Sequence, residues 1–129
     1  MARVTKRTTR CRTRPGTAQR VAAVAADPRR AGVLAGVLKA LGNPGRLRIL
    51  AYLLGRGEGT VTDVAKALGL PQAVTSQQLG VLRLNGLVRV RRDGGFRHYA
   101  VALPVMADLV GCLARCYEEH RGSLQQNVG

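Results

Sequence analysis

The chain has 129 residues, which is enough for one folded domain with a hydrophobic core and too few for two ordinary domains. Its formal net charge of +14 favours polyanionic partners such as nucleic acids. No apolar run is long enough to cross a bilayer, and the basic N-terminal segment lacks the interleaved Trp, Phe or Leu that insertion at a membrane surface requires. We therefore expect a globular protein of the cytoplasm, without an export signal and without a membrane partner.

Residues 1–17 form a basic segment without apolar periodicity. Seven of the 21 Lys and Arg residues lie in the first 20 positions, which hold no acidic residue. Such a composition cannot bury enough surface to become ordered, so we expect a flexible basic arm. The arm could lie along DNA phosphates beside a binding site, or it could be a solvated tail or the product of an upstream start codon.

The next segment, 18–54, predicts three helices. Asp27 and Asn43 each stand as an N-cap residue before a proline suited to the first helical turn. The second helix has an apolar stripe wider than its own domain requires, formed by Val33, Leu34, Val37, Leu38 and Leu41. The third is the predicted core helix, with the apolar residues Leu47, Ile49, Leu50, Leu53 and Leu54. The glycine-rich run 55–59 predicts a connector and not a phosphate loop, because no strand precedes it and no Gly-Lys-Ser/Thr follows it.

Two short helices joined by a tight turn follow a possible short strand at Thr60 and Val61. The first spans 62–68 and the second spans 72–85. A buried face of the second helix is predicted by the helical spacing of Thr75, Leu79 and Leu82. Its opposite face carries small and amide side chains, namely Gln72, Ala73, Ser76, Gln77 and Gly80. Because small residues permit close approach and glutamine can pair with adenine edges, this arrangement predicts a helix-turn-helix whose second helix enters the major groove.

The segment 87–101 predicts a β-hairpin that would form a wing beside the second helix. Its turn signal is Asp93 followed by two glycines, between two runs with β-branched or aromatic residues. Several arginines fall near the hairpin tip, where they could reach phosphates or a minor groove. The fold class is therefore mainly α with a small β-hairpin, a winged helix-turn-helix. The candidate DNA-contacting residues are Gln72, Ala73, Thr75, Ser76, Gln77, Arg83, Arg91, Arg92 and Arg97.

Pro104 opens a last helix that we expect to end near His120. Its apolar stripe comprises Met106, Leu109, Val110, Leu113, Cys116 and Tyr117. A terminal helix outside the winged core has nothing of its own left to cover, so we expect it and the first long helix to pair with a second copy. The predicted organisation is a basic arm at 1–17, a DNA-binding and dimerisation domain at 18–120 and a flexible tail at 121–129.

The three cysteines are an odd number in a chain without an export signal, so we expect reduced thiols. Cys112 and Cys116 are four residues apart and face the same side of a helix. They could bind a thiophilic ion such as arsenite, with Cys11 as a third ligand, or accept persulfide or an oxidant. Cysteine also packs helix interfaces as a small hydrophobe, which leaves a purely structural role open. The sequence identifies no cofactor with certainty, and arsenite or another thiophilic ion is the candidate inducer.

The segment 34–101 resembles the ArsR/SmtB family of bacterial winged-helix repressors. The resemblance covers LKALGNPGRLRIL, then VTDVAKALGLPQAVTSQQLGVLRLNGLVRVRRDGG, then HYAV. Its most specific part is the run Ser76 to Leu79, with Leu82-Arg83 and Gly86-Leu87-Val88. Within the family the chain is similar to the branch of thiol-persulfide sensors and of nodulation and hemolysin regulators. The resemblance implies a homodimeric repressor that sits on an inverted repeat and is released by an inducer.

The chain departs from the family pattern at several sensor positions. Thr60 and Thr62 stand where metal-sensing members carry Cys-x-Cys, and Ala51 stands where persulfide sensors carry a cysteine in the core helix. Pro71 replaces the usual Ser or Thr cap. The acids and histidine of the last helix lack the spacing of the family's zinc site; they are Asp108, Glu118, Glu119 and His120.

Two other functional classes are weighed against a repressor. An enzyme is disfavoured, because His98 and His120 are the only histidines and no serine has an evident base partner. A constitutive DNA-binding regulator, or a nucleoid or RNA-binding protein that uses charge alone, remains open.

Overall fold

The computed structural model describes residues 15–126. Most of the predicted arm, including Cys11, and residues 127–129 lie outside the described residues. The chain divides into two compact units, one up to Leu34 and one from Ala35 onward. The single domain over 18–120 stays a prediction.

The first unit contains helix α1 (Thr17–Ala26) and the start of helix α2 (Pro28–Leu41). None of the α1 side chains is buried. Helix α2 begins as predicted, because a side-chain oxygen of Asp27 accepts hydrogen bonds from the backbone N–H groups of Arg29 and Arg30, at 3.0 and 3.3 Å. These bonds satisfy two donors of the first turn.

The core of the second unit is organised around helix α3 (Pro44–Arg56), which is the predicted core helix. Asn43 caps it by accepting a hydrogen bond from the backbone N–H of Arg46 at 3.1 Å. Three of its apolar side chains are fully buried: Ile49, Leu50 and Leu53. They pack with fully buried residues of later elements, which are Val64, Leu79, Leu82 and Leu87. Leu47 and Leu54 are only half-buried.

Helix α4 (Val61–Leu68) and helix α5 (Gln72–Leu84) follow, and then a two-stranded antiparallel hairpin of β1 (Val88–Asp93) and β2 (Phe96–Val101). The hairpin register pairs Val88 with Val101. Gly94 and Gly95 form the turn, with φ of 53° and 85°, a backbone region that favours glycine.

The strand expected at Thr60 and Val61 is wrong. Thr60 is instead the N-cap of α4 and Val61 is its first residue. The strand-like contact lies one residue earlier, at Gly59, which exchanges two backbone hydrogen bonds with Tyr99 at 3.0 and 2.8 Å. This bridge joins the wing to the segment that precedes α4.

Helix α6 (Val105–Gln126) is longer than predicted. It passes through a kink at His120, where φ is −127° and ψ is 19°, and continues to Gln126, so that 121–126 are helical and not the expected tail. Met106 is buried in the core, whereas Leu113 and Tyr117 are exposed. Within residues 15–126 no helix has the length and apolar character needed to cross a membrane.

Candidate nucleic-acid interface

Helices α4 and α5 form the predicted helix-turn-helix. The hydroxyl of Thr60 accepts a hydrogen bond from the backbone N–H of Asp63 at 3.1 Å, and the Asp63 carboxylate accepts one from the backbone N–H of Thr60 at 3.0 Å. Hydrogen bonds from the backbone and side chain of Thr60 lower the pKa of Asp63. Gly69 ends α4 with φ of 65°, and α5 begins after Pro71 without a side-chain cap. The start of α4 is therefore fixed by a reciprocal cap, whereas the start of α5 has no side-chain cap.

Helix α5 presents one polar face and buries the other. Leu79 and Leu82 are fully buried, as predicted. The predicted reading residues are exposed together on the outer face: Gln72, Ala73, Ser76 and Gln77. Arg83 is exposed near the C-terminal end of the helix. The amide and small side chains of α5 are thus exposed, while its opposite face packs in the hydrophobic core.

Thr75 lies on the buried face of α5 and not on its outer face. Its side chain is fully buried, and its hydroxyl donates a hydrogen bond to the backbone carbonyl of Pro71 at 3.0 Å. A side chain without solvent exposure cannot contact a DNA groove, so its assignment to the DNA-contacting set is wrong. Thr75 instead stabilises the first turn of α5, where Pro71 supplies no side-chain cap.

The three wing arginines all lie near the hairpin tip but on two faces of the hairpin. Arg92 lies directly opposite Arg97 in the hairpin register, so their side chains share one face. Both are exposed, and neither forms an ion pair within the described part of the chain. Like charges in directly opposed positions destabilise a hairpin, and an anion placed between them would remove that repulsion.

Arg91 lies on the other face of the hairpin and is already paired. It donates hydrogen bonds to Glu58 at 2.8 Å and to Asp93 at 3.3 Å. The hydrogen bond from Arg91 lowers the pKa of Glu58, and the same bond raises the pKa of Arg91. Because the groups are exposed, such a pair contributes little stability, but it links the wing to the α3–α4 connector.

Two arginines of α3 support the helix-turn-helix, and sequence reasoning missed both. Arg46 donates a hydrogen bond to the Gln78 side chain of α5 at 2.9 Å, and Arg48 donates one to the backbone carbonyl of Leu68 at the end of α4, at 3.1 Å. The sequence signal that could have identified Arg46 is its helical spacing from apolar residues of α3. Arg46 precedes the buried Ile49 and Leu50 by three and four residues, so it occupies the apolar stripe of the helix.

The predicted thiol pair lies on α6. Cys112 is half-buried and Cys116 is exposed, and no disulfide involves them among residues 15–126. The structure describes no group of three or more His, Cys, Asp or Glu residues that could hold a metal ion, within the same limits. His98 is half-buried on the wing, opposite Arg91.

Comparisons with known proteins agree with this geometry. A helix-turn-helix domain family matches residues 41–91. The uncharacterised HTH-type transcriptional regulator Rv0081 of Mycobacterium tuberculosis is 42% identical over 72 residues, which cover 56% of this chain and 63% of that protein. The match thus spans less than two thirds of that relative. The biofilm growth-associated repressor of Xylella fastidiosa is 38% identical over 85 residues, covering 66% of this chain and 74% of the repressor.

A comparison with solved structures also finds a winged helix-turn-helix domain. The homodimeric winged helix-turn-helix domain of Mb0332 from Mycobacterium bovis, described as a possible ArsR-family regulator, superposes with a TM-score of 0.63 at 35% identity and covers 73% of this chain and 89% of that fragment. The winged helix-turn-helix fold predicted from the sequence is confirmed. The chain belongs to the ArsR/SmtB family of winged helix-turn-helix transcriptional regulators, a family of DNA-binding proteins and not of enzymes.

Proposed function

We propose that the chain is a homodimeric DNA-binding repressor that acts on an inverted-repeat operator in the cytoplasm. The observation that carries this proposal is the two-sided character of α5, which exposes amide and small side chains while Thr75, Leu79 and Leu82 are fully buried. A helix held in this way can place Gln72 and Gln77 against base edges in a major groove. Arg92 and Arg97 on the wing would contact phosphates or a minor groove beside it.

The exposed apolar residues of α6 support a dimer. Val105, Leu113 and Tyr117 are each about half exposed on a helix whose Met106 is in the core. Helix α2 exposes Leu38 in the same way. Unpartnered apolar helix faces mark protein contacts, and the similar Mb0332 domain is a homodimer. A two-fold dimer would present its two α5 helices to successive major grooves, about 34 Å apart.

We propose the thiols of Cys112 and Cys116 as the inducer site. Their spacing places both on one side of α6, and Cys116 is exposed to an incoming reagent. A thiophilic ion such as arsenite, or a persulfide or oxidant, would modify the helix that carries the proposed dimer contact. Cys11 is a further candidate ligand, but it lies outside the described residues. Release then follows if the modified dimer favours a spacing of the α5 helices that no longer fits the operator.

One experiment tests both levels of the proposal. Bound duplexes are selected from a random pool, and the selected site is then challenged with arsenite, zinc, hydrogen peroxide or a persulfide donor. We expect a short two-fold site and its release by a thiol-reactive inducer. A nucleoid-type protein that binds through charge would protect all sequences alike, with the same salt dependence.

A variant with both Cys112→Ser and Cys116→Ser is the matched control. It should bind the selected duplex as tightly as the wild type but resist release. If the variant is released as readily as the wild type, the two cysteines only pack. If no reagent releases the wild type, the protein is a constitutive regulator.

A further inference from the structure

One side chain joins α5 to the junction between α2 and α3. The Arg46 guanidinium donates through Nε to the backbone carbonyl of Ala40, in the last turn of α2, and through Nη1 to Oε1 of Gln78 at 2.9 Å. Its own backbone N–H donates to the cap residue Asn43. Arg46 is therefore held at three points, and one of them lies on the proposed reading helix.

The partial burial of Arg46 favours its hydrogen bond to Gln78. Arg46 is half-buried on the core-facing stripe of α3, next to the buried Ala40. A guanidinium removed from water must find acceptors, and it carries five N–H donors and no acceptor. The Gln78 amide must consequently turn its oxygen toward Arg46. No other side chain on α5 forms a hydrogen bond to α3 within residues 15–126.

The contact constrains rotation of α5 about its own axis. Leu79 and Leu82 hold α5 by apolar burial, which has no strong directional preference, whereas a hydrogen bond weakens steeply with misalignment. Successive helical residues are about 100° apart, so fixing the direction of Gln78 fixes the direction of its exposed neighbour Gln77. A rotation of α5 that carried Gln77 off a base edge would break the bond between Arg46 and Gln78.

We propose that Arg46 is a positioning residue for base recognition. It holds Gln78 so that Gln77 points at its base pair, and it does not itself touch DNA. This inference rests on the proposed function of α5 as the reading helix.

The test measures binding to the selected duplex and to a panel in which each base pair of that duplex is changed in turn. Gln77→Ala should remove the preference at one base pair. Arg46→Met and Gln78→Leu should each reduce the preference at that same base pair by about tenfold, the lower range for loss of one good side-chain contact to a base. Gln78→Glu should keep the preference, because a carboxylate still accepts from Arg46. Adding Arg46→Met to Gln77→Ala should cause no further loss there.

Arg48→Met is the matched control, because Arg48 lies on the same helix and its described hydrogen bond goes to the end of α4 and not to α5. It should retain the preference at every base pair. Thermal unfolding of each variant confirms that binding is measured on folded protein, and Gln78→Leu keeps the test available if Arg46→Met does not fold. If Gln77→Ala loses the preference at that base pair and Gln78→Leu keeps it, the inference is wrong, and the proposed function still stands. A wild type without any preferred base pair overturns the proposed function, and the inference with it.

Discussion

Helix α5 and the wing stand side by side in the fold, but the molecule holds them in different ways. Helix α5 is fixed by apolar side chains without solvent exposure, Leu79 and Leu82, and by the bond from Arg46 to Gln78. The base of the wing also lies in the core, through the buried side chains of Val88 and Tyr99. Beyond the core, the wing is joined to the segment before α4 by the backbone bridge between Tyr99 and Gly59 and by the exposed ion pair of Arg91 and Glu58. Its tip is open, and Phe96 beside the turn is 66% exposed.

The difference matches what each part would do in the proposed function. Reading a base edge requires placement of an amide to within a hydrogen bond, whereas attraction to phosphate requires mainly charge. Helix α5 accordingly carries amides on a rigid support. The wing carries its arginines at an exposed tip. Sequence preference and general affinity should therefore respond to different substitutions.

Leu82→Ala should have the largest effect, a loss of unfolding free energy. It empties a fully buried position behind α5, and such substitutions cost roughly 2–5 kcal/mol of unfolding free energy. Leu84→Ala is the control in the same helix, because Leu84 is 90% exposed and should change stability by less than about 0.5 kcal/mol. Denaturant unfolding measures both. Equal losses would show that α5 is not held by its inner face.

Arg92→Ala and Arg97→Ala should have an intermediate effect, on the wing alone. Each should weaken binding to all duplexes alike and lower the slope of log affinity against log salt by about one. Neither should lower stability, because each removes one of two directly opposed like charges. Arg91→Ala is the comparison, since Arg91 is paired with carboxylates and should leave the salt slope nearly unchanged. A smaller slope for Arg91→Ala than for Arg92→Ala would reverse the assignment of the wing arginines.

The sequence predicted those features that depend on neighbours in the chain. Asn43 before a proline, the apolar stripe of the core helix and the two glycines of the hairpin turn each act within a few residues, and each appears where it was expected. The small polar face of α5 was predicted from helical spacing alone. The resemblance to a known family then gave the order of helices and wing.

The features that were missed depend on distant partners. Glu58 and Arg91 are 33 residues apart, and Arg46 and Gln78 are 32 apart, so neither pairing has a local signal. The spacing of Thr75 predicts the inner face of α5, which conflicts with its place among the predicted DNA contacts. Its complete burial resolves that conflict in favour of the inner face. The helical continuation beyond His120 was missed because Gly122 and the polar residues after it resemble a tail.

Glu58→Gln should have the smallest effect, and it should depend on pH. The hydrogen bond from Arg91 lowers the pKa of Glu58, so the folded state favours the carboxylate. Its contribution is fully present above the ordinary glutamate pKa of about 4.3 and is lost as the pH falls through the lowered value. The local readout is the hydrogen-exchange protection of the Tyr99 amide, which bonds to Gly59 next to Glu58. Protection should fall on acidification in the wild type and stay nearly flat in Glu58→Gln.

The control for this prediction is Asp63→Asn. Asp63 has a lowered pKa as well, but its partner is Thr60 at the start of α4, so the acid response at Tyr99 should persist in this variant. If the response also persists in Glu58→Gln, Asp93 is the carboxylate that holds Arg91, because it is the other acid within hydrogen-bond distance. In that case the wing would be stabilised from within the hairpin, and the connector before α4 would hold it only through the backbone of Gly59.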